Sequence, residues 1–141
     1  MKGSRYSSSR LDANGLLPSD QKNFIINVDD CICNRSTRNP LSRMTTAEAI
    51  QAKEVPGARE WVNALVESGH HVCFFSSRPK KLKSVTRKWL ESHGFKFEVL
   101  LMGKPEALKY HYIDDRHVQA TTFEGRFSTL VKKDKVIHVF G

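Results

Sequence analysis

Apolar residues along the chain follow two alternating patterns. Short, nearly continuous apolar runs, typical of buried strands in a parallel sheet, cover residues 23–28, 71–75 and 97–102. Between these runs, residues 58–68 and 80–92 carry apolar side chains three to four positions apart, which predicts amphipathic helices. Strands that alternate with helices predict an α/β domain with a mostly parallel sheet covered on both faces, a three-layer α/β/α arrangement.

Three further elements are predicted from local signals. Thr45 followed by Glu48 three positions later is the capping-box signature of a helix start. The short apolar run at 111–113 predicts a fourth strand, and residues 127–140 predict a C-terminal β-hairpin.

The chain of 141 residues is long enough for one domain with a sizeable core. Residues 1–22 are polar and Ser-rich, which predicts a flexible tail ahead of a single domain at 23–141. No apolar run reaches the roughly 20 residues that a membrane-spanning helix needs, and the tail has no apolar core of a signal peptide. Three cysteines are too few for a disulfide framework, so we expect a cytoplasmic protein without a membrane partner.

The net charge is strongly positive, because 23 basic residues outnumber 15 acidic ones by 8. Such a charge makes nucleic acid or another polyanion a candidate partner. The basic residues are spread over the tail, residues 80–88 and residues 132–135, a distribution that also suits a plain solvated surface. A basic binding module for nucleic acid is therefore an alternative function.

Polar residues follow the ends of the predicted strands. Residues 27–30 follow the first strand, residues 76–78 the second, and the paired acids Asp114 and Asp115 the short fourth one. In a parallel α/β sheet the ligand crevice lies outside the carboxyl ends of the strands. We therefore expect these side chains to gather at one edge of the sheet.

The same residues occur in an order that resembles a known family. Asn27-Val28-Asp29-Asp30, Ser76-Ser77-Arg78, Gly103-Lys104-Pro105 and Asp114-Asp115 are similar to the four motifs of the haloacid dehalogenase (HAD) superfamily, and especially to its small capsule-biosynthesis phosphatases. The resemblance implies a Rossmann-like fold and a Mg²⁺-dependent phosphomonoester hydrolase. The gaps between the motifs are too short to hold a cap domain. Capless members often act on large substrates or borrow a lid from a neighbouring subunit, which leaves a homo-oligomer open.

The resemblance also assigns roles to individual residues. Asn27 stands at the nucleophile position, Asp29 is the general acid and base, and Ser76 and Lys104 complete the catalytic set. The implied phosphate-binding residues are Ser76, Ser77, Arg78 and Lys104. The implied Mg²⁺ ligands are Asn27, Asp29 through its backbone carbonyl, Asp114 and Asp115.

An asparagine at the nucleophile position predicts impaired or absent hydrolysis, because an amide is a feeble nucleophile. Three explanations stay open: a natural pseudoenzyme that still binds phosphate groups, an active-site variant that traps substrate, and slow hydrolysis by water that Asp29 activates. Two other nucleophiles are conceivable, Asp29 in a shifted register and the thiol of Cys31. A zinc site at Cys31 and Cys33 is a further alternative, although the spacing lacks a second ligand pair.

Overall fold

A parallel three-stranded sheet forms the centre of the molecule. The computed structural model describes residues 11–127 and 135–136. Strands β1 (Asn23–Ile26), β2 (His71–Phe75) and β3 (Val99–Leu101) lie in the order β1-β2-β3, with β2 in the middle. The predicted α/β class with a parallel, Rossmann-like sheet is confirmed.

Three short α-helices that lie wholly within the described residues accompany the sheet. They are α1 (Thr46–Gln51), α2 (Ala58–Glu67) and α3 (Lys83–Ser92). Single 3₁₀ turns at Leu41–Arg43 and Lys80–Leu82 precede α1 and α3, so the helix predicted from residue 80 opens with a tighter turn. No helix of the described residues is long and apolar enough to cross a membrane.

Helices α2 and α3 both pack on one face of the sheet. The strand register aligns Phe74 of β2 with Leu100 of β3, and both side chains are fully buried. Val62 of α2 and Leu90 of α3 are buried in the same cluster. On the opposite face the side chains are more exposed, as Ile25 shows at 51%. The segments that join the motifs fold onto this domain, and no separate cap is present among the described residues.

The predicted strand at 111–113 does not form. Its backbone pairs with no strand of the described part, and Tyr112 and Ile113 are 52% and 65% exposed. Only Tyr112 and Ile113 of this segment are apolar, and two such residues bury too little surface to hold a strand in place. The Tyr112 hydroxyl instead donates to the Asp114 carboxylate, so the segment satisfies its polar groups locally.

A small antiparallel pair follows this segment. Strand β4 (Gln119–Ala120) pairs with β5 (Lys135–Val136). The predicted hairpin at 127–140 lies mostly outside the described residues, since these omit 128–134 and 137–141. The predicted tail also lies partly outside them, because the description begins at residue 11.

Candidate functional site

Segments that follow all three strands meet at the carboxyl edge of the sheet. Asn27 comes directly after β1, and Lys104 comes three residues after β3. The Lys104 Nζ donates to the Asn27 Oδ1 at 3.0 Å. The Lys104 backbone N–H donates to the carbonyl of Ser76, which follows β2, at 3.0 Å. The structure thus brings together Asn27, Ser76 and Lys104, three of the four residues that the sequence assigned to catalysis.

The side-chain amide of Asn27 has only one orientation that suits its neighbours. Its Nδ2 donates to the backbone carbonyl of Asp29 at 2.7 Å, while its Oδ1 accepts from Lys104. A carbonyl can only accept and an ammonium can only donate, so turning the amide over would lose both bonds. The turn is tight as well, since Asp30 adopts a left-handed φ of 64°. The amide therefore links the turn after β1 to the lysine.

Asp29 and Arg78 form a buried ion pair behind this edge. The Arg78 Nε and Nη2 donate to the two carboxylate oxygens of Asp29 at 3.0 and 2.9 Å. A third nitrogen, Nη1, donates to the hydroxyl of Thr86 on α3 at 3.1 Å. Both charged side chains are 1% exposed. Burial favours the neutral form of Arg78, but the hydrogen bond and the charge of Asp29 outweigh it and raise the pKa of the guanidinium.

This ion pair changes what the two residues offer chemically. The sequence assigned Arg78 to phosphate and Asp29 to proton transfer, but here they neutralise each other inside the core. Thr86 takes up a further guanidinium N–H, so Arg78 is not presented to solvent. The fork geometry of arginine matches a carboxylate as well as it matches a phosphate, which is why the sequence alone does not distinguish the two partners.

The two serines after β2 have different surroundings. Ser76 is fully buried, and its hydroxyl oxygen accepts from the backbone N–H of Arg78 at 3.0 Å. Ser77 lines an open groove together with Lys104. Of the four predicted phosphate-binding residues, Ser77 and Lys104 therefore line the groove, while Ser76 and Arg78 lie behind it.

Asp114 and Asp115 lie on an exposed segment. The Asp114 carboxylate accepts from the Tyr112 hydroxyl at 2.6 Å and from the Arg116 backbone N–H at 3.0 Å. These bonds, that of Tyr112 first, lower the pKa of Asp114 to about 2. Its charge is thus stabilised by groups within two residues along the chain.

The implied metal site is not assembled among the described residues. These residues contain no group of three or more His, Cys, Asp or Glu side chains that could hold a metal ion. The Asp29 carboxylate is bound to Arg78, and the Asp29 carbonyl accepts from the Asn27 amide. The donor set therefore does not fit Mg²⁺ as it stands, and the Mg²⁺ assignment stays a prediction.

The cysteines offer little nucleophilic chemistry. Cys31, Cys33 and Cys73 are all free thiols. Burial raises the pKa of Cys31 despite the opposing effects of Asn27 and Lys104, and burial also raises the pKa of Cys33 and Cys73. A thiol with a raised pKa stays protonated at neutral pH and is a poor nucleophile and metal ligand.

The groove beside Lys104 has a volume of about 720 Å³. The polar loop at 34–40 contributes Arg35 and Arg38 to its wall. Two arginines in one polar loop are a sequence signal for an anion-binding surface. The direction of their side chains, however, depends on how the loop folds back. The lining residues are Arg35, Arg38, Pro40, Ser42, Ser77, Pro79, Gly103, Lys104, Pro105, Glu106, Ala107 and Leu108.

Lys104 has aromatic rather than acidic neighbours. Its Nζ lies 5.7 Å from the ring centre of Phe75 and 4.9 Å from that of Tyr110. No carboxylate of the described part forms an ion pair with it, and its hydrogen-bond partner Asn27 is neutral. The groove therefore contains a positive charge that no nearby acid balances, an arrangement suited to an anion.

Comparison with known proteins gives the fold. No protein-family model and no curated protein matches this chain. A target protein from Vibrio cholerae is similar in structure, with a TM-score of 0.50 and 18% identity over 70% of this chain and 83% of that one.

Two chains from Pnkp1/Rnl/Hen1 complexes are also similar in structure. A chain of a Pnkp1/Rnl/Hen1 complex has a TM-score of 0.52 and 18% identity over 66% of this chain and 32% of that chain. A chain of the Pnkp1/Rnl/Hen1 RNA repair complex has a TM-score of 0.51 and 20% identity over 64% of this chain and 28% of its own length. This chain thus spans about a third or less of those two proteins. At such low identity the likeness shows a shared α/β fold alone.

Proposed function

We propose that this chain binds phosphate ester groups at the carboxyl edge of its sheet without hydrolysing them through a covalent intermediate. The observation that carries the proposal is the contact between Lys104 Nζ and the neutral Asn27 Oδ1 at 3.0 Å. A carboxylate at position 27 would balance the lysine charge, whereas the amide leaves it for a ligand. Ser77, which lines the same groove, adds a hydroxyl that can donate to a phosphate oxygen.

Each group that could attack phosphorus is unsuited to it. Asn27 carries an amide, and the carboxylate of Asp29 is held in a buried bidentate pair by Arg78. The thiol of Cys31 stays protonated because burial raises its pKa. Binding without turnover is therefore the function that this arrangement supports best.

The proposed binding does not depend on a divalent cation. The Asn27 Nδ2–H donates to the Asp29 carbonyl, the oxygen that the family resemblance assigns to Mg²⁺. An amide N–H carries a partial positive charge, so it satisfies this carbonyl without a metal. With a carboxylate at position 27, two acceptor oxygens would face one another until a cation or a shift of the chain separated them.

The similar structures bear on which class of phosphate ligand and which partner this proposal concerns. Two of them are chains of Pnkp1/Rnl/Hen1 complexes, one of which is described as an RNA repair complex, and this chain has a net charge of +8. Both observations are compatible with a phosphate group of a nucleic acid as ligand and with a nucleic acid or protein as partner. The HAD-like order of motifs supports a scaffold suited to phosphate chemistry.

Calorimetric titration with adenosine monophosphate tests the proposal. We expect binding that persists in a chelator and that weakens about tenfold in Lys104→Gln, because a charge-assisted hydrogen bond is lost. Lys88→Gln removes an exposed lysine on α3 that does not line the groove, so it should bind as the parent does. We also expect no phosphate release from an aryl phosphate, whereas rapid release would contradict the proposal.

The Asn27→Asp variant separates the metal-free site from a metal site. It should bind adenosine monophosphate more weakly than the parent in a chelator, because the new carboxylate neutralises Lys104 and repels the phosphate. Added Mg²⁺ should raise the melting temperature of Asn27→Asp and leave the parent unchanged. An equal response of both proteins to Mg²⁺ would contradict the role given to the amide.

A further inference from the structure

The groove is larger than one phosphate group requires. Its volume of about 720 Å³ falls within the roughly 300–1,000 Å³ that is usual for sites holding a whole small molecule. Lys104 and Ser77 account for one anion-binding point in its wall. The rest of the wall is therefore open to a second part of the ligand.

The charges in the groove are not balanced. Its wall carries the cations Arg35, Arg38 and Lys104 and the single carboxylate Glu106. Arg35 and Glu106 form an ion pair at 2.5 Å and neutralise one another. Two positive charges remain, those of Lys104 and Arg38.

Arg35 has a structural role that engages all three nitrogens of its guanidinium. Its Nε donates to the Thr37 carbonyl at 2.9 Å, and its Nη2 donates to the Asn39 carbonyl at 2.6 Å. Together with the contact to Glu106, these bonds fold the loop around the guanidinium. Arg35 therefore shapes the loop that carries Arg38.

This loop is fixed at both ends against the rest of the site. Before Arg38, the Arg35 backbone N–H donates to the Asp30 carboxylate at 3.0 Å. After it, the Leu41 backbone N–H donates to the Glu106 carboxylate at 2.9 Å. Arg38 thus projects from a held loop, and no hydrogen bond or ion pair to the described residues engages its exposed side chain.

We propose that Arg38 forms a second anion subsite in this groove, so that the preferred ligand carries two phosphate groups. One phosphate contacts Lys104 and Ser77, and the other contacts the planar fork of Arg38. This inference rests on the proposed phosphate binding and adds the class of ligand. The positive charges of Lys104 and Arg38 repel each other when the groove is empty. A ligand with two phosphates compensates both charges at once.

Two sources supply this chemistry, a small bisphosphate and neighbouring phosphates of a polynucleotide. The test therefore compares three probes by calorimetry: adenosine monophosphate, adenosine with phosphates on two ribose hydroxyls, and end-phosphorylated oligonucleotides of increasing length. We expect the bisphosphate to bind at least about tenfold more tightly than the monophosphate. Affinity that rises from the bisphosphate to the oligonucleotides identifies the polynucleotide source, and affinity that does not rise identifies the small molecule.

Arg38→Gln gives the decisive result. It should remove the advantage of the bisphosphate and change monophosphate affinity less than about twofold. Arg43→Gln removes the same charge from an exposed residue nearby that does not line the groove, so it should preserve that advantage. Thermal melting of each variant shows whether it is folded.

The outcomes separate this inference from the proposed function. If the monophosphate does not bind, the proposed function fails and the second subsite fails with it. If the monophosphate binds and the bisphosphate binds no more tightly, only the second subsite is wrong. Equal losses of bisphosphate affinity in Arg38→Gln and Arg43→Gln would also overturn the second subsite, because the general positive charge of the protein would then explain the effect.

Discussion

At the scale of single residues, Asn27 determines the character of the site. Its amide oxygen accepts from Lys104 and its amide nitrogen donates to the Asp29 carbonyl. An aspartate has the same shape but no donor, so it reverses the second contact from attraction to repulsion. In the proposed function, this one atom distinguishes a site that binds phosphate by its own donors from one that needs a cation.

The sequence predicted some of these residue contacts and missed others. The order of motifs suggested that Asn27 and Lys104 meet, because both follow strands of one parallel sheet, and their side chains are hydrogen-bonded. It gave no signal for the direction of Arg78, whose partners Asp29 and Thr86 lie 49 and 8 positions away. Side-chain direction of this kind follows from three-dimensional packing rather than from local pattern.

The buried pair of Asp29 and Arg78 leads to a stability prediction. Arg78→Met should lower the free energy of unfolding by about 3–5 kcal/mol, because it leaves a carboxylate buried without a partner. The double variant Asp29→Leu, Arg78→Met should recover most of this loss, since no buried charge remains. Urea denaturation of both variants and the parent measures the difference.

A surface arginine provides the control for this cycle. Arg87 pairs with Glu91 at 4.0 Å on the exposed side of α3, so Arg87→Met should cost no more than about 1 kcal/mol. If Arg78→Met costs as little as this control, the pair is not buried as described. If the double variant is less stable than Arg78→Met, the two residues contribute through packing rather than through their charges.

At the scale of elements, local signals worked where they were strong. The predicted capping box of α1 is present: the Thr45 Oγ1 accepts from the Glu48 N–H at 3.2 Å, and the Glu48 carboxylate accepts from the Thr45 N–H at 2.9 Å. The prediction of a strand at 111–113 was wrong, because so short a segment carries little information about tertiary pairing. Signals with a stereochemical mechanism were therefore more reliable than a short hydrophobic run.

The cap of α1 should matter because the helix has only six residues. Isolated helices of this length are unstable, so the cap and the packing of α1 against α3 hold it together. Thr45→Ala should lower the free energy of unfolding by about 1 kcal/mol, whereas Thr46→Ala, one position into the helix, should change it much less. Urea denaturation at neutral pH measures both, and equal effects would contradict the capping role.

The same cap gives the helix a pH dependence. The Thr45 N–H, the first of several hydrogen-bond donors, lowers the pKa of the Glu48 carboxyl. A lowered pKa in the folded state means that the contribution is present above the ordinary carboxyl pKa and is lost as pH falls through the lowered one. The stabilisation from Glu48 should therefore be complete at neutral pH and disappear in acid.

At the scale of the whole molecule, the groove holds only a small part of the positive charge. The net charge of +8 is spread along the chain, as the sequence already indicated. The alternation of strands and helices predicted the α/β class and the edge at which the site lies. The path of the loop at 34–40 was not predictable, because its position depends on the Arg35–Glu106 pair across 71 positions.

Salt dependence distinguishes a local site from a charged surface. For single-stranded nucleic acid, the logarithm of the binding constant falls with the logarithm of salt concentration by about 0.7 for each neutralised phosphate. Two contacts, at Lys104 and Arg38, therefore predict a slope of about −1.4 for an end-phosphorylated oligonucleotide. Arg38→Gln should bring this slope to about −0.7, while Arg43→Gln should leave it unchanged. A slope several times steeper that neither variant alters would mean that the basic surface as a whole binds nucleic acid, and the groove would then not be the site of recognition.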